Sequence, residues 1–298
     1  MAGVRKMNVS CDGNIVTVDG VKDFRLSQIL ECGQCFHFDK LDDEVYEVIA
    51  FGRAVKMEQS GGVLRIFYDT DKRTFEDIWV DYFDLERDYG AIKRAILRKD
   101  DKLKAPMDMM WGIRILNQSF FETMISFIIS QNKNIPQIKQ CVKNISHRFG
   151  DEVIGYNGEA FYVFPDVDRL HEVTEDELRE CKVGFRAPYI MNATEAVYSG
   201  NVTKEKLDAL DIEQARELLM TIKGVGEKVA NCVLLFGLGR REAFPVDVWM
   251  KRIMESMYFD GKDTKKLEIE AFAVKKFGNL GGYAQQYLFD YARTTLFK

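Results

Sequence analysis

The apolar residues of this chain change their period once, near Thr74, and that switch limits the fold more than any other feature. Before it, the pattern suits strands. Residues 45–51 form an apolar run, and in 54–58 Val55 and Met57 alternate with Lys56 and Glu58. Gly61-Gly62 then turns the chain into a further apolar segment, 63–68. Alternation punctuated by glycines reads as an antiparallel sheet with short connections. After Thr74 the spacing becomes helical. Ser119-Phe120-Phe121-Glu122 has the form of a capping box, opening an apolar helix to about Gln131. Residues 135–149 predict a second helix, with Pro136 tolerable in its first turn and Gly150 just past its end. Thr174-Glu175-Asp176-Glu177 is another capping box. Further helical patterns cover 186–198, 212–221, 227–238, 248–257, 265–277 and 283–297. The expected fold class is α+β: a small antiparallel sheet domain over 1–105, then an all-α domain over 106–298. No repeat and no low-complexity linker intervenes, so the two are expected to pack closely.

With 298 residues, 46% of them apolar, the chain can bury a sizeable core. It has no apolar run of the roughly 18 residues that a membrane span needs. Met1-Ala2-Gly3-Val4-Arg5-Lys6 is not followed by the apolar stretch of a signal peptide. The six cysteines are scattered, which suits reduced thiols. A cytoplasmic location is therefore expected. The net charge of −5 argues mildly against a nucleic-acid partner, because such binding domains are usually basic. Phosphate contacts would have to come from local patches and backbone amides. The cluster Lys93, Arg94, Arg98, Lys99, Lys102 and Lys104 is interrupted by Asp100 and Asp101, and reads better as a solvated segment than as a binding patch.

One stretch answers the charge problem. In Leu218-Leu219-Met220-Thr221-Ile222-Lys223-Gly224-Val225-Gly226-Glu227-Lys228 a helical pattern runs into Gly-Val-Gly and out into a second helix. Two glycines permit a tight hairpin with unusual backbone angles. They also leave N–H groups bare at a helix N-terminus, which is an anion site suited to one phosphate. A plain helix–helix turn would look the same on these residues alone. Lys228 changes the weighting. It lies in the first turn of the second helix, where the helix dipole disfavours positive charge and favours a neutral, nucleophilic amine. Its bland alternative is a solvated surface lysine. Cys232 lies one turn later on the same face. Nineteen residues past Lys228, Pro245-Val246-Asp247 breaks the chain before another helix, and Asp247 reads as its N-cap. It either caps and does no more, or also faces Lys228 and steadies the positive charge that develops as a glycosidic bond breaks.

Hairpin, lysine and Pro-x-Asp in this order resemble the helix-hairpin-helix base-excision glycosylases, and most closely the 8-oxoguanine DNA glycosylase/AP lyases. The resemblance implies an all-α helix-hairpin-helix glycosylase domain and a bifunctional reaction. Lys228 attacks the sugar of a flipped nucleotide, forms a Schiff base and allows β-elimination. Cys32-Gly33-Gln34-Cys35-Phe36 resembles the family's Gly-Gln-x-Phe segment, in which the Gly33 carbonyl would accept a hydrogen bond from the N–H that distinguishes the oxidised base. Tyr283-Ala284-Gln285-Gln286-Tyr287-Leu288-Phe289 resembles the base-pocket helix. Gln285 would read the base edge and Phe289 would stack on the base, with Cys232 and Lys228 on its other face. Ser130-Gln131-Asn132-Lys133-Asn134 resembles the loop that probes the opposite strand, where Asn132 would fill the gap. Gly184-Phe185-Arg186 resembles the wedge that contacts the orphaned base. Gly224 and Gly226 would grip a phosphate.

Three departures matter. Gln137 stands where animal members carry an arginine, and Phe185 where they carry a tyrosine, which implies relaxed selectivity for the opposite base. Trp249 replaces a histidine common near the flipped nucleotide's phosphate. Lys223 replaces the usual hairpin proline, and no cysteine follows Cys232, which leaves no set of ligands for an iron–sulfur cluster. No redox cofactor or catalytic metal is expected, although a cation bridging hairpin carbonyls and phosphate is compatible with the motif. The implied partner is double-stranded DNA containing oxidised guanine, bound by a monomer in a nucleoid-associated setting of prokaryotic type. Two rivals remain. One is a superfamily glycosylase for alkylated bases, which typically lacks the lysine, or for oxidised pyrimidines, which would not need Gly33, Phe36 and Gln285. The other is a non-catalytic DNA-binding protein, which would need the glycines but not both Lys228 and Asp247.

Overall fold

The structure is a computed structural model that describes residues 7–67 and 71–296. The readings made at Met1–Lys6, at Tyr68 and at Phe297 lie outside the described residues. Six antiparallel strands form the N-terminal sheet in the order β1-β2-β6-β5-β4-β3. They are β1 (Asn8–Asp12), β2 (Ile15–Asp19), β3 (Phe38–Asp42), β4 (Val45–Ala50), β5 (Arg53–Ser60) and β6 (Val63–Phe67). The alternation read for 54–58 is the pairing of β5 with β4 and β6, with Val55 and Met57 buried. β1 and β3 gave no strand signal because both are edges. Asn8-Val9-Ser10-Cys11-Asp12 is mostly exposed, and β3 buries only Phe38. Polar residues are what an unpaired edge tolerates.

A short helix, Leu26–Leu30, lies between β2 and β3, and helices predominate from Lys72 onward. Ile135–Phe149 forms as expected, capped by Asn134, whose side chain accepts from the Gln137 N–H at 3.0 Å. The Thr174 capping box is present. The one at Ser119 is not: Ser119 occupies the N-cap of Phe120–Ile129 but makes no side-chain cap bond, and Glu122 turns instead towards His37. A two-stranded ribbon, β7 (Glu152–Ile154) with β8 (Ala160–Tyr162), interrupts the otherwise helical half. Among the described residues no helix is long and apolar enough to cross a membrane.

The hydrophobic interior forms two clusters. The smaller packs the sheet against Phe24, Phe75, Trp79 and Phe83, and the larger fills the helical half. The 32–36 turn belongs to both, with Cys35 in the first cluster and Cys32 and Phe36 in the second. Gln34 locks that seam. Its buried side-chain amide donates to the Ile29 and Arg114 carbonyls at 2.9 and 2.8 Å and accepts from the Leu116 N–H at 2.9 Å. A buried amide this well satisfied fixes the backbone around it, and Gly33 is therefore held rigidly at the junction.

Candidate active site

The hairpin is built on two helices, Ile212–Met220 and Glu227–Cys232, the latter continuing as a π-turn through Val233–Gly237. The two glycines are not equivalent. Gly224 has φ +97°, and a Cβ there would sit 2.4 Å from Tyr189 Cγ. Gly226 has φ −99° and open space around it. The expectation of unusual backbone angles at both therefore holds for Gly224 alone. Gly226 serves as an N-cap without a side chain, so no capping side chain satisfies the N–H groups of the helix start.

One cavity of about 320 Å³ opens beside the second hairpin helix. Lys228 and Asp247 line it, together with Gly33, Phe36, Cys232, Gln285 and Phe289. Lys133 and Trp249 also reach it. The chain thus brings residues 33–36, 228–249 and 285–289 to a single slot. Asp247 caps Val248–Tyr258, accepting from the Met250 N–H at 2.8 Å. Burial raises its carboxyl above the ordinary range, while that cap bond and the Lys228 charge pull it back. The lysine Nζ donates to Ser130 Oγ at 2.9 Å, also hydrogen-bonds the Cys232 side chain, and lies 4.8 Å from the Phe127 ring centroid. The Cys232 thiol is pushed up to about 11 by burial, opposed by Lys228, and is therefore neutral near pH 7.

Gly33, which also lines the cavity, has φ +81°, with Phe289 and Ile135 close to where a Cβ would stand. Gln285 is 4% exposed, and its Oε1 has no hydrogen-bond partner among the described residues. An unpaired buried acceptor costs about 1–3 kcal/mol, which a ligand with an N–H would recover. Arg293 braces the Gly33 loop, donating to the Glu31 carbonyl and to Asp290.

Asn132, Gln137, Phe185 and Arg186 sit outside the cavity lining. Asn132 is exposed, with φ +53°. Gln137 is exposed, and its side-chain oxygen accepts from the Asn134 N–H. Phe185 is 51% exposed and meets Tyr189 edge to face. Arg186, by contrast, is 4% exposed. It donates to the Val183 and Gln131 carbonyls and lies over the Phe185 ring. Trp249 carries Arg252 above its ring at 5.4 Å. Ser130, Gln286 and Arg293 were given no role in the sequence. Ser130 meets Lys228 across 98 positions, a contact that no local pattern encodes.

A lysine near a buried carboxylate, at a helix–Gly-x-Gly–helix hairpin and facing a base-sized slot, defines a lysine-bearing base-excision glycosylase. Residues 18–124 match the 8-oxoguanine DNA glycosylase N-terminal domain, and residues 125–278 match the HhH-GPD superfamily of base excision DNA repair proteins. A probable N-glycosylase/DNA lyase of Methanothermobacter thermautotrophicus is 33% identical over 261 residues, covering 80% of this chain and 82% of the relative. The N-glycosylase/DNA lyase of Arabidopsis thaliana is 30% identical over 272 residues, covering 86% and 74%. Among solved structures, the Clostridium acetobutylicum 8-oxoguanine glycosylase/lyase, in complex with double-stranded DNA containing cytosine opposite 8-oxoguanine, superposes with TM-score 0.92. It is 41% identical and covers 97% of this chain and 98% of that one. The chain belongs to the 8-oxoguanine DNA glycosylase family of the HhH-GPD superfamily.

Proposed function

We propose that this N-glycosylase/DNA lyase removes 8-oxoguanine from double-stranded DNA. The observation that carries the reading is the slot itself. Lys228, Asp247, Gly33 and Gln285, whose Oε1 is unpaired among the described residues, all line it. Extruding the nucleotide costs a few kcal/mol, roughly, in lost stacking and pairing. The Lys228 nitrogen then bonds to the anomeric carbon as the bond to the base breaks and the base leaves with the electron pair. Asp247 stabilises the positive sugar on the way. The sugar ring opens to a Schiff base, and loss of a proton next to it expels the 3′ phosphate. Gly33 discriminates because guanine lacks the N–H that its carbonyl would accept. This chemistry uses side chains throughout; a cation bridging hairpin carbonyls and phosphate would serve binding only. The same reading makes the protein a monomer that works in the cytoplasm with the nucleoid.

Borohydride added to the protein with an 8-oxoguanine duplex should trap a covalent adduct. Lys228→Gln should form none, and neither should wild type with unmodified guanine. A folded protein that traps with no oxidised purine would contradict the assignment.

The rim leads to a separate expectation about the opposite base. Gln137 spends its side-chain oxygen on the helix start, and Phe185 offers an aromatic face without a hydroxyl. Neither provides the charged, bidentate donor that would single out cytosine. Excision rates measured opposite the four bases should therefore lie within about tenfold of one another, since a good bidentate pair is worth ~1–3 kcal/mol. Strict cytosine dependence would overturn this reading of the rim.

A further inference from the structure

We propose that Ser130 is the positioning residue that aims the Lys228 amine, an inference that rests on the lysine-nucleophile reading above. Ser130 Oγ accepts from Lys228 Nζ at 2.9 Å and donates its own proton to the Phe127 carbonyl at 2.7 Å. The donor side of the hydroxyl is thereby committed, so its lone pairs must face the amine. The serine is itself fixed. It ends the helix Phe120–Ile129, with its N–H bonded to the Ser126 carbonyl at 3.0 Å.

The other neighbours of the amine hold it less firmly. Asp247 spends an oxygen on the Met250 N–H and acts on the lysine through space. Cys232, a neutral thiol near pH 7, also hydrogen-bonds the lysine, but its sulfur is a weak partner. Phe127 presents a ring face, held between Phe36 and Phe236, that supports the cation without fixing its direction. A lysine has four rotatable bonds, and a nucleophile misplaced by about 1 Å can lose on the order of 10²-fold in rate.

The residues that follow tie this tether to the DNA-facing loops. Gln131 donates through Nε2 to the Gly224 carbonyl at 3.0 Å, and its own carbonyl accepts from Arg186. Asn132 comes next, in the left-handed region. Three consecutive residues therefore hold the nucleophile, the hairpin with the wedge, and the side chain facing the opposite strand.

The test uses a duplex with a preformed abasic site, so that base recognition plays no part, and follows borohydride trapping in single turnover. Wild type should trap and Lys228→Gln should not. Ser130→Ala should slow the plateau rate about tenfold or more, with half-saturating protein concentration and Tm unchanged. Ser130→Thr, which keeps the hydroxyl, should recover most of the rate. A Ser130→Ala rate within threefold of wild type overturns the positioning role while leaving the function intact. So does a slow rate that comes with equal loss of affinity and no rescue by threonine. Failure of wild type to trap overturns both.

Discussion

Replacing Asp247 with asparagine should cut base excision by about 10²–10³-fold while leaving the protein at least as stable as wild type near neutral pH. The two effects separate because the carboxyl does two things. As an N-cap it needs only an oxygen for the Met250 N–H, and asparagine caps about as well as aspartate. As a catalytic group it needs its charge, and asparagine has none. The charge is also a burden on the fold. Burial raises the carboxyl above its ordinary value, so the folded state prefers the protonated form. The sign then follows: the stability this preference contributes is fully present below the unfolded carboxylate range and is lost as pH rises through the folded value. At neutral pH the native protein holds a buried carboxylate that asparagine would relieve. Thermal unfolding should show the variant's Tm equal or higher at pH 7.5, with the difference shrinking towards pH 4. Asp247→Ala should lose both roles, adding a capping cost of about 1 kcal/mol. A rate loss under tenfold for Asp247→Asn, or one accompanied by a large drop in Tm, would show that Asp247 only holds the helix.

Much of this site could be read in the sequence because its pieces are local. The hairpin lysine, the Pro-Val-Asp cap and the Gly33 turn each lie within a few residues, and one cavity gathers all three. What escaped was what tertiary packing decides. β1 and β3 are edge strands whose polar residues mask the alternation. Ser119 has the sequence of a capping box, but His37 lies near Glu122, and the reciprocal bonds do not form. Arg186 lies in the segment whose resemblance implies contact with the orphaned base, and nothing local shows that it is buried against two carbonyls, where the loop folds back over the end of the helix Phe120–Ile129. Ser130 had no local signature, since its significance depends on a lysine almost a hundred residues away.

The two hairpin glycines look interchangeable in sequence, and they should fail in opposite ways. At Gly224 a side chain meets both a positive φ and the Tyr189 side chain at 2.4–2.5 Å. A strained backbone of this kind costs about 1–3 kcal/mol and overpacking a similar amount. Gly224→Ala should therefore lose roughly 2–6 kcal/mol, which at about 2–4 °C per kcal/mol is a drop in Tm of roughly 4–24 °C. The damage should not stay local. Tyr189 packs edge to face on Phe185, and the Gly224 carbonyl anchors Gln131. Moving that tyrosine shifts the exposed Phe185 and the loop behind Ser130, so duplex affinity should fall with stability. At Gly226 the backbone is ordinary and a Cβ meets no atom within 4 Å. Gly226→Ala should stay within about 1 kcal/mol of wild type, the usual scale of an N-cap change. Its methyl group would nevertheless stand beside the bare N–H groups that a phosphate must approach. Affinity for an abasic duplex should drop several-fold with Tm almost unchanged, and the loss should persist at low salt, because it is steric rather than a lost ion pair. Equal Tm losses for the two variants would refute this division of labour, as would full affinity in Gly226→Ala.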